Sequence, residues 1–223
     1  MYPVKEHIAK LLDSLPQGVR LVAVSKYHPA EYIEEAYAVG QRIFGESHVQ
    51  ELRQKVEVLP SDIEWHFIGH LQTNKVKYIA PYITMIESVD SERLIAEINK
   101  QCLKHNRVVD VLLELHVAKE ETKSGFTPEE LEVLLASGVK EKYPNVRICG
   151  LMTMASYTDD ESLIDSEFEQ ASQFFDKIKT NYFAADDYFA VRSWGMSGDY
   201  PLAIKHHSNM IRVGTLLFGP RVY

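Results

Sequence analysis

Eight short apolar runs, each followed by helical or turn-rich sequence, predict an α/β protein closed as a (β/α)8 barrel. Three observations carry this reading. The runs alternate with helical patterns along the whole chain, which implies parallel strands joined by right-handed crossovers, and eight is the number that closes such a sheet. The first run, Leu21-Val22-Ala23-Val24, offers no polar face before Ser25, as expected of a strand covered on both sides. The chain has 223 residues, 45% of them hydrophobic, and no linker or low-complexity tract interrupts the pattern, so residues 1–223 read as one domain. A doubly wound open sheet is the alternative architecture.

The leading segment MYPVKEHIAKLLDSL is amphipathic and mixes acidic with basic residues, so it reads as an extra N-terminal helix rather than a secretory leader. Strand 1 follows at 21–25. Residues PAEYIEEAYAVG open near a proline and close on Gly40, the start and stop chemistry of a helix. RIF at 42–44 is strand 2, with a helix over about 48–58, and EWHFI at 64–68 is strand 3, with a helix over 74–80. TMIES at 84–88 is strand 4, followed by a helix from Ser91 to about His105. VDVLLELH at 109–116 is strand 5, and Thr127-Pro128-Glu129-Glu130 then sets an N-cap with proline at the first helical position. VRICG at 146–150 is strand 6, with a long helix at 161–179. YFAVRSW at 188–194 is strand 7, with a short helix near 199–205, and NMIRV at 209–213 is strand 8.

A formal net charge of −8, without any lysine or arginine block, argues against nucleic acid or an anionic membrane as the main partner, since both require a basic face. No run is long enough to span a bilayer. Cys102 and Cys149 follow neither metal nor redox spacing, which fits a reducing compartment, and the cytoplasm is the expected location.

Barrels of this kind build their sites at the C-terminal ends of the strands. Strand 1 ends on Lys26. A lysine at the tip of a buried strand loses part of its hydration, which lowers its pKa and frees the neutral amine for a Schiff base; the other reading is a lysine snorkelling to solvent. Strand 2 ends in FGES with Ser47, strand 3 runs from His66 through His70 into LQTNK, and strand 5 ends near His116. Strand 6 ends in GLMTM with Met152. After strand 7, Ser197-Gly198 offers a hydroxyl and unhindered N–H groups, and Gly214-Thr215 offers the same after strand 8. These are the two loops where such barrels frequently hold phosphate. Period-two alternation along strand 8 turns Met210, Arg212 and Gly214 inward. An inward arginine needs a buried partner, which a bound anion, a ring nitrogen or a structural carboxylate would supply.

AVSK, FGES, WHFIGHLQTNK, KSG, GLMTM, GMSGD and IRVGTLLFGPR, in this order and spacing from about residue 20 to Arg221, resemble the pyridoxal phosphate homeostasis protein family. Its members are similar to the N-terminal barrel of alanine racemase. The resemblance implies a fold-type-III barrel with pyridoxal 5′-phosphate (PLP) in Schiff-base linkage to Lys26. It also implies phosphate contacts from Ser197, Gly214 and Thr215 and a ring-nitrogen contact from Arg212. Ser47, His66, Met152 and Gly198 complete the expected cofactor-binding set. Ser47 stands where the family usually has asparagine, His116 where it has an asparagine-rich strand end, and Trp194 and His206-His207 are also atypical.

These readings lead to an expected function. A carboxylate beside the PLP ring nitrogen keeps it protonated, whereas Arg212 donating to an unprotonated nitrogen weakens the electron sink. The sequence ends at Tyr223, just past strand 8, so no second domain bringing a racemase's second base is expected. The leading expectation is therefore a monomeric PLP carrier that stores, buffers or delivers the cofactor to apo-enzymes, without committed catalytic activity. The alternative is a PLP-dependent amino-acid racemase or lyase in which Tyr27, His66 or His116 transfers protons. A third reading, a metal-dependent hydrolase using His66, His70 and His116, lacks an accompanying carboxylate cluster, and no metal ion is expected.

Overall fold

Eight strands pair in chain order and close on themselves. In the computed structural model, which describes residues 2–118 and 124–220, they are β1 (Arg20–Val24), β2 (Ile43–Glu46), β3 (Glu64–Phe67), β4 (Met85–Val89), β5 (Val109–Glu114), β6 (Val146–Met152), β7 (Val191–Ser193) and β8 (Met210–Val213). Every pairing is parallel, and β1 closes the barrel against β8 with Leu21 opposite Ile211 and Ala23 opposite Val213. Lys123 of the KSG motif and Arg221 of the last motif lie outside the described residues.

Around the strands run α1 (Val4–Ser14), α2 (Ala30–Ala38), α3 (Val49–Val58), α4 (Glu92–Lys104), α5 (Pro128–Ala136), α6 (Val139–Lys142), α7 (Glu161–Tyr182), α8 (Tyr200–Lys205) and α9 (Thr215–Phe218). The N-cap expected at Thr127 is a full capping box: its side chain accepts from the Glu130 N–H, and the Glu130 carboxylate accepts from the Thr127 N–H. The stretch at 74–80 forms a 3₁₀ helix over Thr73–Tyr78 instead of an α-helix. Strand 2 extends two residues past RIF, because Gly45 and Glu46 pair with His66 and Phe67. Strand 7 is shorter than YFAVRSW, since the Phe189 N–H turns back to the Asp186 carbonyl before the chain joins the sheet.

Two cores result. Outward strand residues and the helix faces form the large one, with Phe44, Phe67, Phe168, Phe183 and Trp194 fully buried. Inside the barrel, Val22, Met85, Leu112, Cys149, Met152, Val191 and Met210 fill the lower layers. No described helix is long and apolar enough to cross a membrane.

Cys149 and Met152 both face the interior although three residues apart, which requires an irregularity between them. The β5/β6 register slips there: Val111 faces Ile148 and Leu112 faces Gly150, which leaves Cys149 as the extra residue of β6. A Cβ at Gly150 would lie 1.9 Å from the Val191 carbonyl oxygen, so only glycine allows β6 and β7 to pair this closely. Gly150→Ala should therefore cost at least about 3 kcal/mol in urea unfolding, whereas Gly198→Ala, with open space around it, should cost less than about 1 kcal/mol.

Candidate functional site at the barrel mouth

Lys26 follows β1 in the inward phase of Val22 and Val24 and is half-buried. It lines a cavity of about 550 Å³ at the C-terminal mouth together with Ser197, Gly198, Arg212, Gly214 and Thr215. The structure thus gathers six of the nine expected cofactor residues at one place. The loops after β7 and β8 are tied to each other there by the Gly214 N–H, which donates to Ser197 Oγ at 3.3 Å, and the β7 loop is closed on itself by the Met196 N–H, which donates to Asp199 Oδ1 at 2.5 Å. A side chain at Gly214 would press on the Val24 carbonyl oxygen at 3.1 Å, so glycine lets the end of β8 close against the end of β1.

Arg212 points inward, as alternation along β8 requires, and is 4% exposed. Its Nη1 donates to the Ser193 carbonyl at 2.7 Å and to Ser193 Oγ at 2.6 Å, and its Nη2 donates to the Thr153 carbonyl at 2.8 Å. Glu87, fully buried on β4, lies 3.9 Å away with its Oε2 and accepts from Ser193 Oγ at 2.6 Å; its Oε1 accepts from His66 Nδ1 at 2.7 Å. Burial alone would raise the Glu87 carboxyl, but the hydrogen bonds and charges of His66, Arg212 and Ser193 outweigh it and hold it below the ordinary value. The structural carboxylate anticipated for Arg212 is thus Glu87, while three of the guanidinium's five donor hydrogens are committed and its remaining face opens on the cavity.

A second buried network grips Lys26 from behind. Lys55 of α3 donates to the Ser25 carbonyl at 2.9 Å, to Glu46 Oε1 at 2.7 Å and to Glu51 Oε1 at 2.7 Å. Glu51 Oε1 also accepts from the Tyr27 N–H at 2.7 Å, and Ser25 Oγ donates to Glu46 Oε1 at 2.7 Å. The peptide groups on both sides of Lys26 are therefore anchored, with Tyr27 held at a φ of 65°, a left-handed conformation uncommon for tyrosine. The sequence reading missed Glu87, Ser193, Glu46 and Lys55. The available signal was the pair of carboxylates in otherwise apolar strands, Glu46 and Glu87, which cannot be buried without partners.

Three expected residues lie elsewhere. His66 and Met152 face inward but one layer below the cavity, where Ile68 and Met154 take the lining positions. Ser47 lines a different cavity beyond β2, because the Ile68-Gly69 turn packs over it, leaving a Gly69 Cβ position only 2.7 Å from Ser47 Cβ. The histidines of the metal reading are dispersed: His66 is in the barrel, His70 is exposed on Asp90, and among the described residues no group of three His, Cys, Asp or Glu side chains is arranged to hold a metal ion. The atypical Trp194 and His206 belong to the outer layer, where Trp194 packs on Phe175 and His206 meets Asp165 and Glu169.

Residues 3–222 match the family model of the alanine racemase N-terminal domain. A pyridoxal phosphate homeostasis protein of Aquifex aeolicus is 40% identical over 99% of this chain and 96% of its own length, and that of Schizosaccharomyces pombe is 38% identical over 92% and 85%. The chain belongs to the pyridoxal phosphate homeostasis protein family. The PipY protein of Synechococcus elongatus, solved with PLP bound, superimposes with a TM-score of 0.87 at 35% identity over 97% of this chain and all of its own. Alanine racemase from E. faecalis shares the fold alone, with a TM-score of 0.72 at 21% identity over 98% of this chain and 58% of that one.

Burial pushes the Glu46 carboxyl up to about 7, against the pull of Lys55. The folded state then holds this proton more tightly than the unfolded chain, so the stabilisation is complete below the ordinary carboxyl range and is lost as pH rises through about 7. Wild-type unfolding free energy should accordingly fall between about pH 5 and pH 8 relative to Glu46→Gln, by at most roughly 3 kcal/mol. Parallel pH profiles in urea titrations of the two proteins would contradict this assignment.

Proposed function

We propose that this chain binds PLP in the mouth cavity through a Schiff base at Lys26. We infer that it serves PLP homeostasis in the cytoplasm as a monomer, storing the cofactor, buffering it or delivering it to apo-enzymes. The observation that carries the reading is the convergence of Lys26, the Ser197 to Thr215 cradle and Arg212 on one cavity. The relatives named above for PLP homeostasis, and PipY with PLP bound, point the same way.

The donor set suits PLP. A single amine stands at the end of β1, and hydroxyls with small neighbours stand on the loops after β7 and β8 beside it, lining a cavity within the usual range for small ligands. When bound, PLP supplies an aldehyde and an electron-withdrawing ring. The chain's residues hold it: Ser197 and Thr215 offer hydroxyl donors to the phosphate, while open space beside Gly198 leaves room for close approach. Arg212 is a donor at every ordinary pH and offers no carboxylate to keep a ring nitrogen protonated. Tyr27, His66 and His116, weighed as proton carriers for a racemase, are absent from the cavity lining; the Tyr27 hydroxyl is instead 3.2 Å from His48 Nε2. Although His28 and Tyr157 also line the cavity, the permanently charged Arg212 in place of a carboxylate partner favours a carrier over an amino-acid enzyme.

Borohydride reduction of the PLP-loaded protein followed by peptide mapping should place the label on Lys26; a label on Lys75 instead would overturn the assignment. Replacing Ser197 and Thr215 together, by alanine and valine, should weaken PLP by about 10- to 100-fold while changing pyridoxal, which lacks the phosphate, far less. Equal losses measured by absorbance titration would rule out these hydroxyls as the phosphate site.

A further inference from the structure

Outside the mouth, a cavity of about 430 Å³ opens between the start of α3 and the 3₁₀ helix Thr73–Tyr78. Its lining includes Arg53, Lys75, His48 and His70 but no carboxylate, in a chain whose net charge is −8. Phe67 and Tyr78 supply aromatic wall. Three cations converge on Tyr78: Lys77, Arg53 and Lys75 lie 4.9, 5.1 and 5.9 Å from its ring centroid. The phenol face attracts each of them modestly, but three like charges around one ring repel one another, and a bound anion relieves that repulsion. Among the described residues none of the three forms an ion pair.

The carboxylates that touch this lining are engaged otherwise. Glu51 is taken by Lys55 and the Tyr27 N–H, with its second oxygen 3.8 Å from His48, and Asp90 meets His70 at 3.1 Å. Neither comes within ion-pair distance of Arg53 or Lys75. The first turn of α3 adds to the positive potential, since its N-cap residue His48 makes no side-chain capping bond. Concavity and size suit a small molecule rather than a protein surface, which would need a much larger flat area.

We propose that this cavity is a second anion site that takes a small phosphate monoester, with Arg53 and Lys75 as its charge partners and the Tyr78 ring as its wall. It is distinct from the mouth cavity in every lining residue. A ligand there has its charge met by two side chains that form no ion pair among the described residues. The guanidinium provides a planar fork for two phosphate oxygens, and the ammonium a point charge.

The test is a titration of the full-length, PLP-loaded protein, freed of excess cofactor, with phenyl phosphate at constant ionic strength, read by amide ¹H–¹⁵N shifts. Saturable shifts should map to residues 48–53 and 72–78, and Arg53→Gln combined with Lys75→Gln should weaken them by at least about tenfold while leaving PLP absorbance unchanged. Shifts confined to 195–215 would mean that phosphate enters only the mouth cavity, and would overturn the proposal. So would non-saturating shifts, identical titrations of wild type and the double variant, or saturation by a polyglutamate peptide but not by phenyl phosphate. Because the readout is resolved by residue, failure of PLP to load would be seen separately and would leave the second site testable.

Discussion

A permanently charged guanidinium inside a barrel sets the terms for everything at its mouth. Burying Arg212 without partners would cost several kcal/mol, and the fold meets the demand from three other strands or their ends: Ser193 of β7, Thr153 just past β6 and Glu87 of β4. Glu87 in turn needs His66 from β3. The network therefore ties β3, β4, β6, β7 and β8 together across the interior. It separates an apolar floor of Met85, Leu112 and Met210 from the polar mouth above, and leaves one face of Arg212 available there. A charged group placed by such a network cannot drift, which is what a cavity selecting an anionic ligand requires.

The Lys26 side of the mouth is built by different means. Its orienting contacts come from outside the barrel wall, where Lys55 and Glu51 of α3 take hold of the backbone flanking Lys26. The strand tip is thus held by an adjacent helix, so the lysine side chain itself need not serve as a structural anchor. The inner and outer networks meet at the end of β1, where Gly214 lets β8 approach the Val24 carbonyl.

Helix α3 acts on two regions at once. Lys55 and Glu51 hold the backbone flanking Lys26, while Arg53, two residues from each, lines the separate cavity beside Tyr78. Residues of different faces reach the two regions, as the 3.6-residue period allows.

The strand order, the closure at eight and the candidates Lys26, Arg212, Ser197, Gly198, Gly214 and Thr215 were legible in sequence, because a strand buried on both sides and its turn chemistry leave local signatures. Period two along strand 8 likewise turned Arg212 inward, where the structure has it. What period two cannot supply is depth. Inward residues stack in layers, and the stagger of the strands, together with the slip at Cys149, decides which layer reaches the cavity, so that Ile68 and Met154 line it in place of His66 and Met152. The pairings of Glu87 with Arg212 and of Glu46 with Lys55 likewise join residues far apart in the chain or on different layers. Sequence by itself determined that an arginine was to be buried in an apolar strand; only the tertiary structure decided which partners it met, because partner choice depends on barrel stagger and helix placement, and neither leaves a local pattern.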